Sequence, residues 1–222
     1  MLRRLPRWAW FGGMVLTCIA GMINAVGYMG FRHQAVTHLT GSTTLVGTAL
    51  SGGDLNEAMH WLLVIVAFMV GAVISGIVVQ QHTLKLGRPY GVALMLESLL
   101  LFAAVPLIHR QNDLGLYLAS VACGLQNAMV STYSGTVLRT THLSGSFTDV
   151  GIALGQLLRG LETDMLRMRL YLMLIASFFV GSVLGGLVFH RIGELTLLIP
   201  ATLTGVAGLS YRWYRHIGAP AT

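Results

Sequence analysis

The sequence predicts an all-α integral membrane protein built from two internal repeats, and three observations predict it. The 222 residues are 55% apolar and 10% charged, where an average soluble domain carries roughly 25% charged residues. The mean hydropathy is +0.71, and six segments have the length of spanning helices, which take about 20 apolar residues each. Residues 37–42 read THLTGS and residues 141–146 read THLSGS, a polar motif written twice inside an apolar chain.

The first span covers residues 8–31. Its basic start, MLRRLPRWAW, leads into an apolar run too long for a signal peptide and without a small-x-small cleavage site, so it reads as a retained helix. Residues 36–51 carry the first motif, whose polar groups would lie at membrane depth. Spans at residues 57–80 and 90–109 complete a first repeat, residues 1–110. The second repeat, residues 111–222, follows the same order: a span at 113–131, a motif segment at 137–158, and spans at 169–190 and 194–211. The two repeats form one fused membrane domain. Their match extends beyond the motif, since Gly21-Met-Ile-Asn24-Ala25 answers Gly124-Leu-Gln-Asn127-Ala128, and Ala67-Phe-Met-Val-Gly71 answers Ser177-Phe-Phe-Val-Gly181.

Each motif segment reads as a re-entrant hairpin, which gives six spans and two hairpins, or as a further span, which gives eight. Basic residues favour the first. With six spans and the N-terminus inside, ten Lys/Arg lie inside and Arg32, Arg110 and Arg191 outside, with Arg139 in the second hairpin. With eight spans the split is nine to five, which obeys the positive-inside rule less well. Three spans per repeat is an odd number, so the second copy would insert inverted, an architecture common among secondary transporters. The net charge of +6 therefore reads as a topology signal, and no nucleic-acid partner is expected. Cys18 and Cys123 sit in apolar spans without CxxC or metal spacing, as small buried residues.

Candidate site residues follow from polarity at depth. Thr40, Gly41 and Ser42, and Ser144, Gly145 and Ser146, look like the starts of short helices, where glycine lets the backbone turn and hydroxyls cap free amides. His38 and His142 hold matching places, and imidazole is a side chain suited to a proton-linked step. Asp149 lies two turns after His142 on one helix face, and with Glu97 it is a carboxylate within an apolar segment, a functional candidate by its cost. Asp149, His38 and Glu97 are the candidate proton-coupling residues. Asn24 and Asn127 occupy equivalent positions in the first and fourth spans, to contact solute or to brace a hairpin. Gly71-x-x-x-Ser75 and Gly181-x-x-x-Gly185 read as close helix packing, and Arg212, Trp213, Tyr214 and Arg215 as an interfacial anchor.

In combination, Gly21-Met-Ile-Asn24-Ala25-Val-Gly27-Tyr28, Thr40-Gly41-Ser42, Gly124-Leu-Gln126-Asn127-Ala128 and Arg139-Thr-Thr141-His142-Leu-Ser144-Gly145 resemble the YoaK family. These are bacterial inner-membrane proteins of about this length, grouped as a domain of unknown function. The resemblance covers most of the chain and implies a membrane fold without an activity. The family pattern has Asp in place of Asn24 and Asn in place of Ser42, so this chain carries less polar capacity in its first repeat.

The expected function is a small-solute transporter or facilitator of the bacterial inner membrane, multi-pass with a cytoplasmic N-terminus. A central site at the two hairpins would bind the solute, with proton coupling through Asp149. The expected partners are the lipid bilayer, a small molecule or ion, and a second copy in a homodimer; no cofactor and no metal are expected. A channel is the nearest alternative. An intramembrane lipid-modifying enzyme would need His142 and Asp149 as acid and base, and no Ser elbow, HExxH or phosphate-cradling motif accompanies them. A membrane scaffold is the remaining alternative, and the expectation is of a non-enzyme.

Overall fold

The computed structural model describes residues 7–79, 88–134 and 138–218, with side chains over 9–79, 90–134 and 138–211. The expectations at Arg3, Arg4, Gln80, Lys85 and Val137, and for the side chains of the 212–215 anchor, lie outside the described residues. Among the described residues eight α-helices follow one another: α1 (Arg7–Met29), α2 (Leu39–Ser51), α3 (Leu55–Val78), α4 (Arg88–His109), α5 (Asp113–Tyr133), α6 (Leu143–Leu158), α7 (Met165–Ile192) and α8 (Leu198–Gly218). A short 3-10 turn, Gly193–Leu197, joins the last two. The expected last span therefore begins in this turn, and its α-helix starts four residues later than the sequence suggested.

Among the described residues, five stretches are long and apolar enough to cross a membrane: Ala9–Met29, Leu55–Val78, Tyr90–His109, Asp113–Tyr133 and Met165–Tyr211. The last, of 47 residues, contains both α7 and α8, divided by Gly193 at φ +62°. By contrast α2 has 13 residues and α6 has 16, about 20 and 24 Å of helix, short of a hydrocarbon core of about 30 Å.

Local chemistry sets these boundaries. The Asp54 side chain accepts from the Glu57 amide at 3.0 Å, Asn112 from Leu114 at 2.9 Å and Asp164 from Arg167 at 3.1 Å. Each thus caps the start of α3, α5 or α7. Gly53 at φ +78° and Gly160 at φ +70° supply the left-handed residue that ends α2 and α6.

Glycine also sets the packing. A Cβ at Gly21 would strike the Phe178 carbonyl, and one at Gly181 the Cys18 carbonyl, so α1 and α7 cross backbone to backbone. At the α3/α5 crossing, a Cβ on Gly71 would strike the Val121 carbonyl and one on Gly124 the Phe68 carbonyl. Such contacts replace the hydrophobic drive that lipid cannot supply. Gly181 meets Cys18, and one turn on Gly185 meets Met22, so α7 runs parallel to α1. Ile23, Leu101, Leu116, Leu125 and Met129 fill the interior at 1% exposure or less, except Leu116 at 2%. The outer faces of α3 and α7 present Met69, Val73, Ile77, Phe179, Val183 and Leu187, surface that only lipid covers at low cost.

Candidate functional site

The two motifs build two tips of the same design. His38 and His142 precede α2 and α6 with φ/ψ of −88°/66° and −98°/58°, and neither side chain caps its helix. Each imidazole instead folds over the glycine three residues on. A Cβ at Gly41 would overlap His38 Nδ1, and one at Gly145 would overlap His142 Nε2. The H-x-x-G spacing therefore exists because the ring takes the place of a side chain. Ser42 and Ser146, both buried, each return a hydroxyl to the preceding histidine carbonyl at 3.2 Å. That bond tightens the first turn and leaves both rings exposed.

The asparagines are braces. Asn24 donates to the Ala20 carbonyl at 2.8 Å, and its Oδ1 accepts from the Thr37 amide at 3.2 Å and the Thr37 hydroxyl at 3.0 Å. Asn127 repeats the arrangement loosely, accepting from the Thr140 hydroxyl at 3.5 Å. Each asparagine thus holds the turn that leads into its tip. In the first half Ser120 of α5 adds a bond to the Val36 carbonyl at 3.2 Å, while also reaching the Val64 carbonyl at 3.0 Å. Ser120 lies seven residues into α5, so Val36 sits about 10 Å below the end of the bundle.

That end carries a charged latch. Arg32, just after α1, grips Asp113 of α5 with two bonds of 2.8 and 2.6 Å and reaches Glu57 of α3 at 3.4 Å. Such bidentate pairing is the strong form of an arginine–carboxylate contact. The hydrogen bond to Asp113 holds the Arg32 guanidinium above its ordinary range, so its charge persists at neutral pH. Beneath it His60, 4% exposed, bridges Tyr117 at 2.9 Å and Gln34 at 2.7 Å and lies 3.4 Å from Asp113. The latch also shows that α1 ends where α3 begins.

A second buried polar group lies between α4 and α5. Glu97 and Gln126 are both fully buried, and the Gln126 amide donates to Glu97 Oε1 at 2.8 Å. Among the described residues, Glu97 Oε2 and Gln126 Oε1 have no hydrogen-bond partner. One turn along each helix, Leu94 and Met129 line an apolar cleft of ≈280 Å³ between α1, α4, α5 and α8. Tyr90, Tyr133 and Tyr211 line it as well, at the end of the bundle opposite the latch.

The predicted residues are therefore not gathered at one point. Among the described residues, α2 packs on α3 and α6 on α7, and the two tips share no packed face. Asp149 stands partly exposed on α6 and faces Arg167 of α7 at 3.9 Å. Thr40 and Ser144 are exposed. Gly71 and Gly181 make the close crossings their spacing implied. No three His, Cys, Asp or Glu side chains gather as metal ligands would among the described residues.

Sequence reasoning missed the latch. Arg32 entered only as a topology marker, and Glu57 and Asp113 only as span ends. His60 inside the third helix was the available signal, as an ionisable residue one turn after an acid. Gln126 was visible, but its partner depends on the pairing of α4 with α5.

Comparison with known proteins agrees with the membrane fold. The chain is 26% identical over 186 residues to a UPF0700 transmembrane protein of Rhizobium meliloti (strain 1021), covering 84% of this chain and 78% of that one. No solved structure matches. The model of a family described as "Protein of unknown function (DUF1275)" matches residues 12–210. With its apolar helices, paired glycine crossings and a family match over nearly its whole length, this multi-pass membrane protein belongs to the DUF1275 family.

Proposed function

We propose that this protein is a small-solute transporter or facilitator of the bacterial inner membrane, built from two inverted halves that each carry a re-entrant short helix. The observation that carries the reading is the matched construction of the two tips. Histidine, glycine and serine take the same places, and an asparagine braces each tip from the preceding long helix. Both tips stand on helices too short to cross a membrane. Interrupted helices at depth are costly in lipid and are found where they line a cavity or a path.

The packing supports the internal two-fold. The α1/α7 and α3/α5 crossings exchange when the halves are exchanged. Between α4 and α8, Gly208 meets the Gly91 backbone and Ser98 donates to the Ala201 carbonyl at 2.7 Å. Applying the spacing that relates Gly71 to Gly181 converts one of these contacts into the other. Inversion is supported by the latch, because α1 ends at the end of the bundle where its counterpart α5 begins. The same contact brings α3 back to the end where α1 left off, as a re-entrant α2 requires.

In this reading the tips, with Asn24, Asn127, His38 and His142, move and contact solute, and the protein catalyses no chemical step. Proton coupling would run through Asp149 or Glu97, and the basic residues put the N-terminus in the cytoplasm. Single cysteines in the exposed loop at residues 52–56, in a chain lacking Cys18 and Cys123, test the architecture. Labelling from the periplasm is expected; labelling from the cytoplasm alone would make α2 a span and the halves parallel.

A further inference from the structure

Beneath the charged latch, a buried histidine ties the approach to the first tip to two long helices. His60 of α3, 4% exposed, meets Gln34 at 2.7 Å and Tyr117 of α5 at 2.9 Å, and Gln34 lies between α1 and α2. We propose that His60 is a proton-operated release for the first tip: the neutral ring holds Gln34 down, and a proton taken from the medium frees it. The proposal rests on the transporter reading for its purpose but not for its chemistry.

The bonds around the ring define its neutral form. Gln34 Oε1 can only accept, so His60 Nε2 holds the ring hydrogen and donates it. Nδ1 is then an acceptor, and the Tyr117 hydroxyl donates to it. Both ring nitrogens are satisfied without a charge. Gln34, 1% exposed, depends on the ring in turn, since its Nε2 has no hydrogen-bond partner among the described residues. Its backbone N–H donates to the Gly27 carbonyl at 3.0 Å, a bond back to α1, so its side chain is what fastens this segment to α3.

A proton arriving at Nδ1 turns that nitrogen into a donor, and the Tyr117 hydroxyl can no longer donate there. The carboxylate oxygen in reach, Asp113 Oδ2 at 3.4 Å, already takes Arg32 Nη2 at 2.6 Å. Glu57, one turn before His60, is also engaged by Arg32, at 3.4 Å. A charged ring would therefore share its carboxylate with a guanidinium while shut off from water, and burial penalises the charged form. Among the described residues no other ionisable group balances it. The helix α2, packed on α3, has none. His33 is exposed and bonds the Tyr28 carbonyl at 3.1 Å, and His109 at the end of α4 faces Glu194 at 3.8 Å. The latched state thus binds the proton less tightly than the open one, and acid opens it. The residue matching His60 in the second half is Leu170, so the second tip has no such release. With the N-terminus in the cytoplasm, the latch end faces the periplasm, whose acidity would set the first tip free.

Spin labels on Ala35→Cys and on the matching Arg139→Cys, each in the full chain lacking Cys18 and Cys123, test the release in micelles. The label at position 35 is expected to pass from immobile to mobile as the pH falls from about 8 to about 5, while the label at position 139 keeps its mobility. His60→Gln should leave position 35 immobile throughout. Tyr117→Phe removes the hydroxyl that favours the neutral ring, and should move the midpoint to higher pH by roughly half to one unit. A label at 35 that ignores pH, an equal response at 139, a response that survives His60→Gln, or an unmoved midpoint in Tyr117→Phe would each overturn the release. Periplasmic labelling of residues 52–56 without a response at 35 would overturn it while leaving the transporter architecture intact. A response at 35 with labelling of 52–56 from the cytoplasm alone would support the release and remove that architecture.

Discussion

The two tips are alike in their first turn and unlike in what holds them. At the first, Asn24 makes three bonds of 3.2 Å or less, Ser120 ties the Val36 carbonyl to α5 and α3, and Arg32 closes the end above. At the second, Asn127 is half-buried with one contact at 3.5 Å, and the residue matching Ser120 is Thr17, whose hydroxyl turns back to Gly13 of its own helix at 2.7 Å. Local sequence thus fixes the shape of a tip, while distant helices decide its stiffness. A molecule with one pinned and one lightly held tip has a natural division between frame and moving part.

The largest expected effect tests what the halves share. Gly71→Leu and Gly181→Leu each force a side chain into a backbone carbonyl, which should cost about 3 kcal/mol in thermal unfolding in micelles. A wild-type melt for either would show that the crossings are not equivalent. The next test addresses what they do not share. Asn24→Leu strips the Thr37 amide and hydroxyl of their acceptor and should cost about 2 kcal/mol, against less than about 1 kcal/mol for Asn127→Leu; equal losses would erase the asymmetry. The smallest effect is expected at the latch. Arg32 and its partners are each more than a quarter exposed, so Arg32→Gln should cost about 0.5 kcal/mol and less in high salt. Its clearer signature is faster amide exchange over residues 33–38 than over 138–142, and uniform exchange would remove the latch from the account.

Much of the frame was legible because it rests on composition. Apolar length gave the long helices within a few residues, and the small residues at 71, 75, 181 and 185 named their own crossings. The duplicated motif gave the tips. What could not be read was pairing at a distance. Asn24 and Thr37 are close in sequence, but their bond exists only because the chain doubles back after α1. Asp113 and Arg32 meet because α5 starts beside the end of α1, a fact about topology that no window of residues contains. Glu97 and Gln126 were each visible as polar residues in apolar runs, and their relation required knowing that α4 lies against α5. Asp149 stood out for its charge, yet its position beside Arg167 depends on how α6 leans on α7.

During biogenesis, residues 165–211 emerge as one largely apolar stretch of 47 residues, broken by His190, Arg191 and Glu194. The polar break coincides with a conformational one. At Gly193, φ is +62°, a backbone angle open to glycine and strained for other residues, and it converts a single overlong pass into a pair. A machine that releases segments to lipid by their hydrophobicity thus meets charge and corner at the same place, and the two last helices leave it as a hairpin whose bend is already written into the backbone.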